Sequence, residues 1–148
     1  MKSFHYQFLF FLMMFVGCTD DPVQQNNFIP RQIFNVTKSL VLPEASGLQT
    51  PGGYAVFQDL GFRGILVYNS NGTHFLAFDL AAPHLPSSLC GDPMDYESDW
   101  PYIISYCGEE DVRYSVFTPY ANYLGETYEM QEYSAVLIDN STLQIRNF

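Results

Sequence analysis

Basic residues and catalytic motifs are both scarce in this sequence of 148 residues. It has 6 Lys and Arg residues against 16 Asp and Glu residues, which gives a formal net charge of -10. So acidic a chain repels phosphate backbones, and we therefore expect no nucleic-acid partner. The sequence also lacks a G-x-S-x-G motif, a glycine-rich phosphate loop and a pair of carboxylates at a recognisable catalytic spacing. Nothing specific in it indicates an enzyme.

The N-terminus carries an apolar run that is too short to span a membrane. Lys2 precedes the unbroken apolar residues 8–16, and Gly17 and Cys18 follow them. A basic start, a short apolar core and a small residue before a polar stretch are typical of a secretory signal. Because ~30 Å of hydrocarbon requires ~20 apolar residues, we expect this segment to be removed and not to serve as the anchor.

The residues before Cys18 resemble a bacterial lipobox. The segment Phe15-Val16-Gly17-Cys18 has the small residue and the cysteine of that signal, with Phe15 where leucine is usual. The resemblance implies a signal peptide over residues 1–17 and a diacylglyceryl group on Cys18. Since each buried CH₂ adds ~0.8 kcal/mol of membrane affinity, we expect a lipid anchor in the cell envelope, on the outer membrane and facing the periplasm or the surface. An ordinary signal peptide that contains a cysteine is the alternative.

The rest of the chain is predicted to be a tether and one folded domain. Residues 18–27 are polar without periodicity, which is typical of a flexible tether. Residues 28–148 combine many aromatic residues with few charges, so we expect them to fold. Only Cys90 and Cys107 remain in this part, and exported proteins sit where disulfides persist. The two cysteines therefore predict one bridge.

The folded part alternates between extended runs and turns. The strand-like runs are residues 32–36, 39–42, 54–58, 62–68, 73–79, 102–106, 112–118, 133–138 and 142–146. Asn69-Ser70-Asn71-Gly72 predicts a hairpin between two of them, because Asn-Gly readily takes positive φ. Residues 80–100 and 119–132 show no regular pattern, and no helix is expected after the signal. Short strands at regular spacing predict an all-β barrel or sandwich.

Several of these segments resemble a Rieske-type domain, and they are most similar to the Rieske-like lipoproteins of Bacteroidetes. The matching segments are residues 62–68 (FRGILVY), residues 75–79 (FLAFD), Ala82-Pro83-His84, Tyr106-Cys107-Gly108 and the final hairpin over residues 133–147. The resemblance covers roughly residues 28–148. It implies a small Rieske-like β-sandwich or barrel with two ligand-type loops.

The resemblance also implies what has become of the metal site. Rieske domains hold a two-iron two-sulfur cluster with two cysteines and two histidines. His84 matches the first histidine and Cys107 the final ligand, whereas Ala82 and Ile104 stand at the cysteine positions. Because alanine and isoleucine cannot ligate iron, we expect no cofactor. The alternative is an electron carrier that holds the cluster through nonstandard ligands.

A disulfide ties the two loops together in some Rieske proteins, and the resemblance implies the same role for Cys90 and Cys107. Two free thiols are the alternative. A third possibility is a mononuclear zinc site made of His84, Cys90 and Cys107, although their spacing matches no compact zinc motif.

Acidic and aromatic residues around these loops allow two interpretations each. The acidic residues could bind calcium or form a solvated rim; they are Asp92, Asp95, Glu97, Asp99, Glu109, Glu110 and Asp111. The aromatic residues could form a partner or glycan surface or pack inside the fold; they are Tyr96, Trp100, Tyr102, Tyr106, Tyr114, Phe117, Tyr120, Tyr123 and Tyr128. The function we expect is a binding or assembly module with an envelope protein as its partner. A metal-binding or chaperone-like surface module is a further possibility.

Overall fold

The computed structural model describes residues 28 to 147. The signal peptide, Cys18 and the tether predicted from the sequence lie outside these residues. Ten strands and one short 3-10 helix, Pro43–Gln49, make up the regular structure. The strands are β1 (Phe34–Ser39), β2 (Tyr54–Phe57), β3 (Ile65–Asn69), β4 (Phe75–Asp79), β5 (Tyr102–Ser105), β6 (Val112–Ser115), β7 (Tyr120–Tyr123), β8 (Glu126–Glu129), β9 (Glu132–Asp139) and β10 (Thr142–Asn147). The all-β prediction is confirmed. Over the part of the chain described, no helix has the length and apolar character needed to cross a membrane.

Six of the strands form one curled antiparallel sheet in the order β1-β10-β9-β4-β3-β2. The pairing of β2, β3 and β4 is continuous, and so is that of β1 with β10, whereas the pairing of β10 with β9 shifts its register between Thr142 and Leu143. These two groups meet where Ala77 pairs with Tyr133 and Phe78 with Glu132. The sheet is therefore narrowly joined between β4 and β9, and it curls into a half-barrel.

Strand β3 explains how this small protein builds two hydrophobic cores. Every residue of Ile65–Asn69 is buried, because both faces of the strand are covered. A strand buried on both faces is read in the sequence as an unbroken apolar run and not as an alternation. Ile65 and Val67 pack on the concave side of the sheet, whereas Leu66 and Tyr68 pack on the other side.

We call the two cores the sheet core and the loop core. The sheet core lies inside the curled sheet and is closed by the 3-10 helix; it contains Leu40, Ala45, Leu48, Ala55, Phe57, Leu60, Ile65, Val67, Phe75, Ala77, Tyr133, Leu143 and Ile145. The loop core lies between the outer face of the sheet and the remaining loops and hairpins; it contains Leu66, Tyr68, Phe78, Leu80, Ala82, Cys90, Met94, Ile103, Val112, Tyr114, Val116, Tyr123 and Met130.

The hairpin predicted at Asn69-Ser70-Asn71-Gly72 is confirmed between β3 and β4. Gly72 has a φ of 94°, as the turn requires. The buried side chain of Asn69 accepts a hydrogen bond from the Gly72 amide (2.6 Å) and donates one to the Leu48 carbonyl (2.8 Å). One asparagine thus fixes both the turn and the 3-10 helix beside it.

Several segments differ from the sequence prediction. The sequence predicts no helix after the signal, but Pro43–Gln49 forms a 3-10 helix, and residues 62–64, expected to be extended, form a turn before β3. Residues 119–132, expected to be irregular, form the hairpin of β7 and β8 around Leu124 and Gly125. Residues 39–42, expected to be extended, end β1 at Ser39 and turn into the 3-10 helix, whose first turn contains Pro43. Proline is well suited to that position because its φ is already near the helical value and it needs no amide partner there.

Candidate functional site

The positions that the sequence assigned to metal ligands lie on two loops and on β5, which contains Ile104. The first loop, residues 80–101, connects β4 to β5, and the second loop, residues 106–111, connects β5 to β6. Cys90 of the first loop and Cys107 of the second have their sulfurs 2.04 Å apart and their Cα atoms 5.6 Å apart. The structure therefore brings the predicted cysteine pair to disulfide distance and ties the two loops together.

His84 lies beside this bridge and is 2% exposed. Its Nε2 is 3.4 Å from the Cys107 carbonyl oxygen, and its Nδ1 is 3.0 Å from the Tyr114 hydroxyl. A carbonyl oxygen can only accept, so Nε2 carries a proton, and both ring nitrogens are engaged. In the neutral ring, the Tyr114 hydroxyl donates to Nδ1.

The surroundings of His84 favour this neutral form. Burial lowers the pKa of His84, and the hydrogen bond to the Cys107 carbonyl only partly opposes that effect. Burial and the nearby Tyr128 raise the pKa of Tyr114, so its hydroxyl remains a donor. Two further rings enclose the imidazole, with centroid distances of 4.7 Å to Tyr123 and 6.3 Å to Tyr128.

The two positions without a donor atom, Ala82 and Ile104, are buried apolar positions. Ala82 packs in the loop core. Ile104 lines a small cavity of about 190 Å³ next to the bridge, together with Cys90, Met94 and Cys107. His84 thus contacts Cys107, and Ile104 lies next to the cysteine bridge. The side chains around these residues are mainly apolar.

The other ligand sets considered from the sequence find little support in the geometry. Within residues 28–147, no group of three or more His, Cys, Asp or Glu side chains is placed to hold a metal ion. The zinc set fails because the two sulfurs are bonded to each other and offer no free thiolate. Asp95 accepts hydrogen bonds from the amides of Glu97 (2.9 Å) and Ser98 (3.2 Å), so it caps a turn.

Asp79, at the end of β4, is a site residue that the sequence analysis did not single out. It is fully buried and accepts four hydrogen bonds, from the amides of Phe62 (2.6 Å), Arg63 (3.1 Å) and Ala81 (2.8 Å) and from the Tyr133 hydroxyl (2.8 Å). Burial and the negative charge of Asp79 raise the pKa of Tyr133, which keeps that hydroxyl a donor. Asp79 thereby fixes the start of the first loop. The sequence signal for it is an aspartate that ends an apolar strand.

The aromatic residues divide between packing and exposure. Tyr54 stacks on Trp100 at a centroid distance of 4.2 Å, and Tyr68 contacts both Trp100 (5.8 Å) and Phe117 (5.6 Å). These rings cover the outer face of β2 and β3. Four of the candidates keep exposed rings at this side of the molecule; they are Tyr102, Tyr106, Phe117 and Tyr120.

Comparison with protein families, with curated proteins and with solved structures finds no match to this chain. The similarity to Rieske-like lipoproteins therefore rests on its motifs.

Proposed function

We propose that this chain is an envelope lipoprotein whose Rieske-like domain has lost its iron-sulfur cluster and now acts as a binding or assembly module. One observation carries the proposal. The two ligand-type loops are held to each other by Cys90 and Cys107, and His84 between them uses both ring nitrogens in hydrogen bonds within the protein. Contacts within the protein thus engage the residues at which the resemblance implies surviving cluster ligands.

The donor count supports the same conclusion. A cluster of this type requires four side-chain ligands. Ala82 and Ile104 have no lone pair to offer, and Cys107 is bonded to another sulfur. His84 is the remaining candidate, and the Tyr114 hydroxyl occupies its free lone pair. The bridge and the buried histidine contact would both have to be broken before Cys107 and His84 could bind iron.

The bridge can also replace the cluster as a cross-link. A disulfide that closes a loop of about 15 residues contributes about 3 kcal/mol in the chain-entropy model. Cys90 and Cys107 are separated by 17 positions, which is close to that case. Loops that a metal would otherwise hold can therefore keep their shape without it.

The binding role rests on the exposed aromatic rings near these loops. Phe117 is 64% exposed. Tyr102, whose strand partner Ser115 lies two residues before Phe117, and Tyr106, the residue after β5, are exposed as well. Aromatic side chains are enriched among the residues that dominate protein–protein affinity. An envelope protein that buries these rings is the partner we propose, with the lipid on Cys18 holding the module at the membrane.

Metal analysis of the full chain, purified from the cell envelope without reductant, tests the loss of the cluster. We expect no visible absorption, no stoichiometric iron and no acid-labile sulfide, and no free thiol from Cys90 or Cys107 after denaturation. A coloured protein with two irons and labile sulfide per chain would reject the proposal and make electron transfer the better answer.

Membrane attachment and partner binding need separate variants. Cys18→Ser should move the protein from the membrane fraction to the soluble fraction, and an unchanged distribution would reject the lipid anchor. Phe117→Ser should reduce cross-linking to the native envelope partner. Ile138→Ser is the matched control, because Ile138 is also exposed but belongs to β9 of the sheet. Equal cross-linking of both variants would reject the aromatic surface.

A further inference from the structure

The six-stranded sheet has an opening between β4 and β9. These strands pair only through Ala77 with Tyr133 and Phe78 with Glu132. Beyond that point β9 continues for six residues, of which five pair with β10 and none pairs with β4, and Phe75 at the other end of β4 pairs only with β3. A cavity of about 320 Å³ lies at this opening, with Phe75 on one side and Leu137 on the other.

We propose that this cavity binds a small uncharged molecule that has an apolar body and one hydrogen-bonding group. Its volume falls within the range of small-molecule pockets, about 300–1,000 Å³. Its lining includes Leu40, Leu48 and Phe75 of the sheet core and no residue of the loop core, to which the cysteine bridge belongs. The inference is thus independent of the function proposed above.

The walls of the cavity select for an apolar body. Leu40, Leu48 and Phe75 are buried core residues that also line the cavity. These three side chains are between 1% and 7% exposed, so a ligand makes van der Waals contact with them but removes little further apolar surface from water. Val41 stands at the rim with 71% of its surface exposed, an apolar side chain that a ligand can cover further.

The lining selects against charge. None of its ten residues is acidic or basic, although the whole chain carries a net charge of -10. A charged ligand would lose its hydration without meeting a counter-charge, which is costly. The Asn140 amide and the Ser141 hydroxyl at the rim can bond a neutral polar group instead, such as an alcohol, amide or ester.

Titration of the isotopically labelled full chain with 1-octanol, followed by NMR, tests the proposal. We expect saturable shifts of the amide signals of Leu48, Asn69 and Leu137. Octanoate, which has the same chain length and a negative charge, should bind at least 10-fold more weakly. Absence of saturable shifts, shifts confined to the loop core, or equal binding of octanoate would each overturn the proposal.

Two variants at the cavity and one beside it localise the binding. Leu137→Trp should fill the cavity and weaken octanol binding at least 10-fold. Val136→Trp is the matched control. Val136 directly precedes Leu137 in β9, is exposed and does not line the cavity. Should Leu137→Trp fail to fold, Val41→Trp at the exposed rim should cover the opening and weaken binding in the same way. Unchanged octanol affinity in Leu137→Trp, or in Val41→Trp where that variant replaces it, would overturn the assignment.

Discussion

The two halves of this molecule are stabilised in different ways. In the sheet half, β1 to β4, β9 and β10 are held by antiparallel ladders that run from one neighbour to the next. The loop half has only two hairpins, β5 with β6 and β7 with β8, and each strand in them has four residues. Its long first loop makes a few main-chain hydrogen bonds, such as the bridge between Asp95 and Ile104. It is held in addition by side chains, namely the Cys90–Cys107 bridge, the buried His84 and the carboxylate of Asp79.

This difference shows how a loop half can keep its shape without a large sheet. The sheet half spreads its stability over many main-chain bonds, whereas the first loop of the loop half adds three side-chain contacts to its few main-chain bonds. Each of those contacts links segments that are far apart in sequence, and each can be removed by one substitution. We therefore expect substitutions of the cross-linking residues to lower the stability most and substitutions of exposed residues to lower it least.

The largest loss is expected from Asp79→Ala, because Asp79 fixes the junction of the two halves. The substitution leaves three amides and the Tyr133 hydroxyl without their buried acceptor. Since one unsatisfied buried polar group costs about 1–3 kcal/mol, the free energy of unfolding should fall by more than about 3 kcal/mol. Chemical denaturation measures it.

Asp59→Ala is the control for that variant. Asp59 is an exposed aspartate of the sheet half whose side chain lies 3.3 Å from Lys38. Exposed ion pairs contribute about 0–1 kcal/mol, so this variant should unfold almost as the wild type does. Similar losses in both variants would mean that Asp79 has no special place at the junction.

The second largest loss is expected from Cys90→Ser, which removes the bridge of the loop half. The melting temperature should fall by the equivalent of about 3 kcal/mol, without any change of colour. Wild-type protein in reductant should melt like the variant, and reductant should not lower the variant further. An unaltered melting temperature in Cys90→Ser would count against a structural bridge.

His84 should make the stability of the loop half depend on pH. Because burial lowers the pKa of folded His84 below its usual 6.5, the unfolded chain binds more protons as the pH falls below that value. Stability is thus complete above about pH 6.5 and declines toward the lower folded pKa, with a slope of at most about 1.4 kcal/mol per pH unit.

Denaturation curves between pH 7.5 and pH 5, values chosen to bracket the usual histidine range, test this dependence. His84→Gln should flatten it, whereas His74→Gln should keep it, because His74 is an exposed residue at the β3–β4 turn. A slope that persists unchanged in His84→Gln would assign the effect to other groups.

Much of the sheet half could be predicted from the sequence because its signals are local. The Asn-Gly turn at Gly72 and the unbroken apolar run of β3 each identify their structure within a few residues. The cysteine bridge was also predictable, since only two cysteines lie in the predicted folded domain, residues 28–148. Local pattern and simple counting suffice in these cases.

The contacts of the loop half could not be predicted in the same way. Asp79 and Tyr133 are 54 positions apart, and His84 and Tyr114 are 30 positions apart. No period or spacing in a single sequence connects such residues. Burial of the His84 ring depends in turn on Tyr123 of β7, which lies in a segment that the sequence predicts to be irregular.

The missed hairpin of β7 and β8 leads to the smallest expected effect. Its two-residue turn consists of Leu124 (φ 51°) and Gly125 (φ 87°), both with positive φ. Such turns favour Asn-Gly, and leucine gives no signal for them. An ordinary residue in this conformation costs roughly 1–2 kcal/mol, and asparagine tolerates it better. Leu124→Asn should therefore stabilise the hairpin by about 1 kcal/mol.

Amide hydrogen exchange of β7 and β8 measures this effect better than a melting curve, because a short hairpin can open without global unfolding. Leu124→Asn should slow exchange there, since Leu124 is 61% exposed and its removal loses little packing. Gly125→Ala is the opposite control. Its added methyl group meets no atom within 4 Å, so faster exchange would come from the backbone alone. Unchanged exchange in both variants would show that tertiary contacts, and not the turn, hold this hairpin in the loop half.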